Sequence, residues 1–594
     1  MRPVPVIRRR PRAEPGEVVG AWPAQVPPLL RRVHAARGSA DFAQARPRLA
    51  SLLPPDGLLG LDAACELLSA AIAADRHIVV VGDFDCDGAT ACAVAVRGLR
   101  MLGARRVSRA VPNRIVHGYG LSPTLVAELA ALSPDLLVTV DHGIACHAGV
   151  AAAKARGWQV LVTDHHLPGE SLPPADAIVN PNLRGDGFPS KALAGVGVMF
   201  YVLLALRQHL CGRSPIKSGA GSDREPQDTA IHGHTAREAR PDLTSLLDLV
   251  AVGTIADLVP LDANNRALVA AGLRRLRAGQ GCAGLHALLE FAGRAPATLV
   301  ASDIAFGLAP RINAAGRLED MALGIECLLS DDPARAHELV EVLDGINAER
   351  RGLQQTMVDE AEAALAGLSF DGALPAALCL YQAEWHPGVV GLVASRVKER
   401  CHRPVIAFAP SEPGSDRLRG SARSIAGFHI RDALAALDCA HPGLMEKFGG
   451  HAMAAGLSLP LEALDAFRDA WLAQASASID PALLQAELLS DGELAPHEFD
   501  RLHAEWLRDG GPWGQGYPEP LFDGEFDVLG SRCVGERHLK LELGQGTARY
   551  NAIHFGGRDA EPLPARIRIA YRLVPDDWRG GDAVQLIVEH REAA

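Results

Sequence analysis

The sequence predicts an α/β protein of several domains: a parallel-sheet domain, a long linking helix, a second α/β domain and a C-terminal OB-type β-barrel. Three observations carry this. Between residues 78 and 260, short apolar runs ending in acid or imidazole alternate with helix-forming stretches, as a parallel sheet requires. Residues 331–368 repeat apolar positions at helical spacing. Beyond about residue 480 the chain changes to short runs with aromatics, separated by turns. At 594 residues it exceeds what one core usually supports, so roughly two to four domains are expected.

Taken in order, residues 1–48 are rich in Pro and Arg and read as an extended N-terminal arm leading into helices near 29–33 and 62–73. The first α/β domain is expected over 49–300, with strands at 78–81, 136–140, 160–163 and near 177–179, and helices at 148–156 and 191–209. Residues 212–240, rich in Ser, Gly, His and charge, carry almost no core formers and read as a disordered insertion. A connecting segment and long helix follow over 301–368, with Leu339, Val340, Leu343, Ile346, Leu353 and Met357 along one stripe. Strand, helix and strand at 377–381, 389–400 and 405–408 mark the second α/β domain, 369–478. Five short β-like runs over 479–594 suggest the barrel, whose kind grips single strands by stacking bases on aromatics. Arg532, Arg537, Lys540, Arg549 and Tyr550 are its candidate contacts, with a structural role the alternative for each.

Bulk numbers exclude several classes. The 48% hydrophobic content is that of a globular protein. A net charge of −12 argues against a simple nucleic-acid binder, because phosphate contacts need Lys and Arg, but leaves an enzyme open. Arg8-Arg9-Arg10, Arg274-Arg275-Arg277 and Arg417-Arg419-Arg423 could line a strand's path; a solvated face is the alternative. No apolar run with a cleavage site follows Arg10, so no secretory signal is expected. The apolar run 193–206 is too short and glycine-broken to span a bilayer. Eleven scattered cysteines without a CxxC pair indicate neither a zinc site nor a disulfide framework, and a cytoplasmic protein is expected.

The chemistry is expected where the strands end. Asp83, Asp85 and Asp87 follow an apolar strand, and for alternate acids to converge the backbone must curl after Val81, which Gly88 would help. Clustered carboxylates repel unless protons or a cation neutralise them, and an oxygen-rich set suits Mg or Mn. An acidic surface turn or helix cap is the competing reading. The strands leading to Asp141-His142-Gly143 and to Asp164-His165-His166 discharge at the same sheet edge. Asp257 reads as an acid embedded in an apolar helix, needing a partner such as a metal.

GDFDCDGATA, VTVDHGI, VTDHH and AVGTIADLVPL together resemble the four motifs of the DHH phosphoesterases. The fuller pattern, with Pro310–Arg317, Gly420–Ser424 and the glycine-rich Gly449–Gly456 of a DHH-associated domain, is similar to the branch that degrades single-stranded DNA. The resemblance runs from about residue 50 to the C-terminus. It implies a single-stranded-DNA-specific exonuclease working 5′ to 3′ with two Mn2+ or Mg2+ ions, in DNA recombination and repair. The implied ligands are Asp83, Asp85, Asp87, Asp141, His165 and Asp257, with Asp141 bridging the ions. Related pyrophosphatases place a histidine where Val81 stands here, so one ion's shell departs from theirs. Asp164 is expected to orient an imidazole, and His166 to contact the scissile phosphate or help the leaving oxygen depart. Arg114, Arg317, Ser421 and Arg423 are candidates for a terminal phosphate, with Gly449, Gly450 and His451 opening a loop that approaches phosphate or sugar. Single-strand-binding protein and a RecQ-type helicase are the implied partners; no membrane association and a monomer are expected. Rival readings are a DHH phosphatase or oligoribonuclease for very short substrates, which would lack the C-terminal barrel, and a DNA-binding scaffold, which would have lost acids that are all present here.

Overall fold

The computed structural model describes residues 5–11, 22–114, 116–212, 241–367, 374–558 and 563–594. The insertion expected over 212–240 lies, beyond residue 212, outside them. The chain divides into two compact units, one formed by residues 42–344 with 510–519, the other by 1–41, 345–509 and 520–594.

The first unit is built on a five-stranded, wholly parallel sheet. Its strands are β2 (Ile78–Val81), β3 (Val107–Ala110), β4 (Leu136–Val140), β5 (Gln159–Thr163) and β6 (Ala177–Val179), in the order β3-β2-β4-β5-β6. β2 and β4 are buried along their full length, as expected of strands covered on both faces. Helices α1 (Cys86–Met101), α2 (His147–Ala155), α3 (Gly195–Leu210), α4 (Leu247–Ala256) and α5 (Ala309–Leu318) follow.

Several sequence expectations change here. The helix expected from 191 begins at Gly195, because Ala194 is extended and the Asp87 carboxylate takes the amides of Gly195 and Val196. Asp257 is not inside its helix but caps the C-terminal end of α4, followed by Leu258 at φ 61. Gly88 does not supply a turn: α1 already starts at Cys86 with Asp85 as N-cap. The glycine is needed because a Cβ there would lie 2.5 Å from the Asp83 backbone nitrogen.

In the second unit, β7 (Leu378–Tyr381), β8 (Val405–Pro410), β9 (Arg417–Arg423), β10 (Lys447–Gly450) and β11 (Ala454–Pro460) form a mixed sheet ordered β10-β11-β9-β8-β7. Only β7 and β8 pair in parallel. Its core gathers Phe408, Phe467 and Trp471. Gly449 and Gly450, expected to open a loop, instead lie in β10, paired with Gly456 and Ala455. A Cβ on Gly450, at φ 145, would meet the Ala454 carbonyl at 2.4 Å. The long helix α6 (Pro333–Gly367) precedes this sheet in the chain. α7 (Val390–Cys401) packs on it.

β13 (Phe522–Val534), β14 (His538–Gln545), β15 (Ala548–His554), β16 (Arg566–Pro575) and β17 (Val584–Ala593) close a barrel ordered β13-β14-β15-β17-β16. Tyr550, proposed as a strand contact, is buried against Phe499 at a ring separation of 4.3 Å and belongs to the barrel core. Nor does the N-terminal arm hang free: β1 (Val6–Arg9) pairs in parallel with β12 (Glu487–Ser490). Arg8 meets Glu487, Arg9 meets Glu493 and buried Asp523, and Arg10 approaches Asp491, so this basic run is consumed by ion pairs. No helix among the described residues is long and apolar enough to cross a membrane.

Candidate metal centre

The C-terminal edge of the parallel sheet gathers the acids. Two groups have ligand atoms all within 4.8 Å of one another: Asp83, Asp85 and Asp141, and Asp87, His165 and Asp257. A third combination, Asp141 with His165 and His166, overlaps them. The six residues proposed as ligands thus fall into adjoining clusters drawn from β2, α1, β4, β5 and α4. His165 Nε2 stands 3.1 Å from Asp141 Oδ1 and 3.5 Å from Asp257 Oδ2.

Such crowding is unfavourable without compensating charge. Burial first, and then the charge of Asp85, pushes the Asp83 carboxyl up to about 8 and that of Asp87 up to about 7. Asp141 and Asp257 are driven well above the usual carboxylate range, by burial and then by Asp87 and Asp85. The buried Asp83 Oδ1 accepts no hydrogen bond among the described residues. A hard divalent cation fits this donor set, which offers oxygens, one imidazole and surplus negative charge.

Close packing of backbone holds the acids in place. Asp141 adopts φ 66, a conformation rarely taken by a residue with a side chain, and its N–H donates to Thr163 O at 3.0 Å. Both Asp87 oxygens accept from the start of α3, Oδ2 from Gly195 N at 2.6 Å and Oδ1 from Val196 N at 3.0 Å. A Cβ on Gly195 would lie 2.5 Å from Asp141 Oδ1, and one on Gly253 2.8 Å from Asp87 Oδ1.

Asp164 lies beside the acid clusters rather than in them. Its Oδ1 accepts from His166 Nδ1 at 2.8 Å and from the backbone N–H groups of His165 and His166, and its Oδ2 from Ile144 N at 2.9 Å. Burial alone would raise this carboxyl, but the hydrogen bond and charges of His166 and His165 bring it to about 2. Burial likewise opposes charge on His166, yet Asp164 outweighs it and raises the imidazole to about 9, so it carries a proton at neutral pH.

Several positioning residues escaped the sequence reading. Asn180 and Asn182 donate to the carbonyls of His166 and His165, at 2.8 and 2.6 Å. Asn313 Oδ1 accepts from Cys86 N at 2.8 Å, fixing the start of α1 from 227 residues away. The Asn180-Pro-Asn182 run after a strand was a legible signal; Asn313 lies within the Pro310–Arg317 stretch, but nothing local assigned it this contact.

Of the candidate anion contacts, Arg114 donates to Gly316 O at 3.0 Å and lies 3.8 Å over the Phe84 ring. Arg317 is the next residue of α5. In the other unit, Arg423 is held by Ser421 Oγ at 2.9 Å, Ser395 Oγ at 3.2 Å and the Ala422 carbonyl. Among the described residues no carboxylate pairs with this guanidinium, and burial lowers its basicity, so its charge is available to an anion. Gly449, Gly456 and Ser421 lie in one row across β10, β11 and β9; His451 follows β10 and is exposed.

The fold and its acid–imidazole edge define a protein of the DHH class. The sequence model of the DHH family, N-terminal domain, matches residues 77–225, that of the DHHA1 domain 374–477, and that of the RecJ OB domain 490–590. The chain is 49% identical over 597 residues to the single-stranded-DNA-specific exonuclease RecJ of Dickeya dadantii (strain 3937), with 99% of each covered. It is 46% identical over 590 residues to that of Escherichia coli (strain K12), with 98% of each covered. The crystal structure of RecJ in complex with Mn2+ from Thermus thermophilus is similar with a TM-score of 0.79 and 31% identity, over 99% of this chain and 80% of that one. The chain belongs to the RecJ family. Asp257, Asn313 and Arg317 fall between the first two matched segments.

Proposed function

We propose that this protein is a metal-dependent exonuclease that hydrolyses single-stranded DNA from the 5′ end, in DNA recombination and repair. The observation that carries the proposal is the meeting of Asp83, Asp85 and Asp141 with Asp87, His165 and Asp257 at one sheet edge, beside an imidazolium held by Asp164. Asp83, Asp85 and Asp141 would hold one Mn2+ or Mg2+ ion, and Asp87, Asp141, His165 and Asp257 a second. Divalent ions bound there supply neutralisation of phosphoryl charge and activation of water. His166, kept cationic by Asp164, is suited to bind a phosphoryl oxygen or to hand a proton to the leaving oxygen. Arg114 and Arg317 in one unit, and Ser421 and Arg423 with Gly449, Gly450 and His451 in the other, offer contacts to a phosphate-bearing strand. The 5′ polarity rests on kinship with the RecJ enzymes, as do single-strand-binding protein and a RecQ-type helicase as partners.

The test is nucleotide release from end-labelled single-stranded and duplex DNA with Mn2+, beside Asp141→Ala. Wild type is expected to digest long single strands from the 5′ end, and the variant to lose turnover while still binding the strand. Turnover retained in Asp141→Ala, or activity confined to dinucleotides, would overturn the proposal.

A further inference from the structure

The ladder between β2 and β4 has its last rung at Val81 and Thr139. Beyond it the strands part, one into the turn carrying Asp83 and Asp85, the other into Asp141. Across this fork reaches a side chain with no role in the reading above. His142 is fully buried, and its Nε2 stands 3.0 Å from the Val81 carbonyl oxygen. A carbonyl only accepts, so Nε2 must carry the proton. Nδ1 is then a buried acceptor, and it has no hydrogen-bond partner among the described residues. The ring is also boxed in: a Cβ on Gly120, at φ 71, would lie 3.3 Å from His142 Nδ1 and 2.7 Å from Cys146 Sγ.

An unpartnered buried nitrogen is unfavourable, and an apolar side chain of similar shape would avoid it. The imidazole therefore contributes something an apolar group could not, and its hydrogen bond is the one to Val81. That bond closes the fork one step beyond the last rung. Asp141 is independently tied to β5 through its N–H to Thr163 O, and the far end of the acid turn is fixed where Asn313 accepts from Cys86 N. The near end is held on the β3 side where Gly82 N donates to Ala110 O, and on the β4 side, past the last rung, by His142.

We infer that His142 is a positioning residue for the cation site of Asp83, Asp85 and Asp141, its Nε2–H bond to Val81 setting the separation of the acid turn from Asp141. The inference rests on the metal-centre reading above. It also predicts asymmetry. Asp87 is anchored separately by the amides of Gly195 and Val196, and His165 by Asn182 and Asp164, so in the second ligand set only the shared Asp141, itself tied to Thr163 O, adjoins His142, and that set should be the less affected.

The test is Mn2+ titration of the full chain by calorimetry, with free Mn2+ followed by electron paramagnetic resonance, on wild type, His142→Gln, His142→Phe and His142→Asn. The Gln amide can place an N–H where Nε2 stood; Phe has no donor, and Asn is too short to reach Val81. Wild type and His142→Gln should bind two ions alike. Phe and Asn variants should keep one near wild-type affinity and bind the other about 10–100-fold more weakly. Melting curves without metal identify any variant that does not fold; should Phe fail, Asn carries the comparison. A folded Phe or Asn variant that binds both ions as wild type does, or weakens both equally, overturns the inference while leaving the metal centre intact. Wild type that binds no Mn2+ sinks the metal reading, and the inference with it.

Discussion

Asp164→Asn changes the carboxylate that organises the two histidines while leaving the side chain of every proposed ligand in place. In wild type Oδ1 accepts three hydrogen bonds and Oδ2 one, from Ile144 N. With the amide oxygen at the Oδ1 position, the new NH2 faces the Ile144 N–H, donor against donor, in a buried site. That costs about 1–3 kcal/mol. The bond to His166 also loses its charge, a further loss on the order of 1 kcal/mol. For a unit of this size the melting temperature should fall by roughly 4–8 °C. The pH window follows from the two shifts. His166, raised from 6.5 to about 9, contributes stability fully present below pH 6.5 and lost as pH rises through 9. Asp164, lowered from 3.8 to about 2, contributes stability present above pH 3.8 and lost as pH falls through 2. The difference in melting temperature should therefore be widest between these limits and narrow above pH 9 to the part set by the Ile144 contact, which does not depend on the charge of His166. In the variant, burial is opposed only by the charges of Asp257 and Asp83 and pulls His166 back toward its ordinary value, so at pH 7.5 its cationic share drops from nearly all toward about a tenth. Nucleotide release at pH 7.5 should fall by up to about tenfold and recover toward pH 6. Bound cations move both proteins' alkaline limbs in the same direction, so their separation is the diagnostic quantity. Thermal melts and initial rates across pH 6–9 read both effects. A variant with wild-type melting temperature and an unmoved alkaline limb would refute the assignment of Asp164 as the residue that charges His166.

Stabilisation by metal should depend on pH in a fixed direction. Asp83 and Asp87, raised to about 8 and about 7, cost the metal-free fold stability that grows as pH climbs from 3.8 through those values, and a cation relieves that cost. The rise in melting temperature on adding Mg2+ should thus be small at pH 5 and large at pH 8; a shift independent of pH contradicts the shared-charge account. Gly195→Ala puts a methyl 2.5 Å from Asp141 Oδ1. It should lower stability by about 1–3 kcal/mol and weaken Mn2+ binding, whereas unchanged melting and affinity would show that the Asp141–Gly195 contact has slack.

By itself the sequence determined the order of the layers and which polar groups the strand ends bring to one edge. Apolar runs ending in Asp83, Asp141 and Asp164-His165-His166 can do little else than deliver those groups to one edge of a parallel sheet, because in such a sheet every strand ends at the same side. Aromatic-bearing short runs likewise foretold a barrel, though not that Tyr550 would fill its core. Tertiary structure alone decided what each local signal meant. Gly88 looks like a turn glycine and is a contact glycine, Arg8–Arg10 look like a basic patch and are spent on buried or neighbouring acids, and Gly449-Gly450 look like a loop and lie in a strand. Asn313 and His142 lie inside motif stretches, yet nothing local tells what they hold, since their partners are backbone groups 227 and 61 residues away. Periodicity reports which way a side chain faces along its own element. What it meets there depends on how distant segments pack, and in this chain that packing decides which residues hold the acids in reach of a cation.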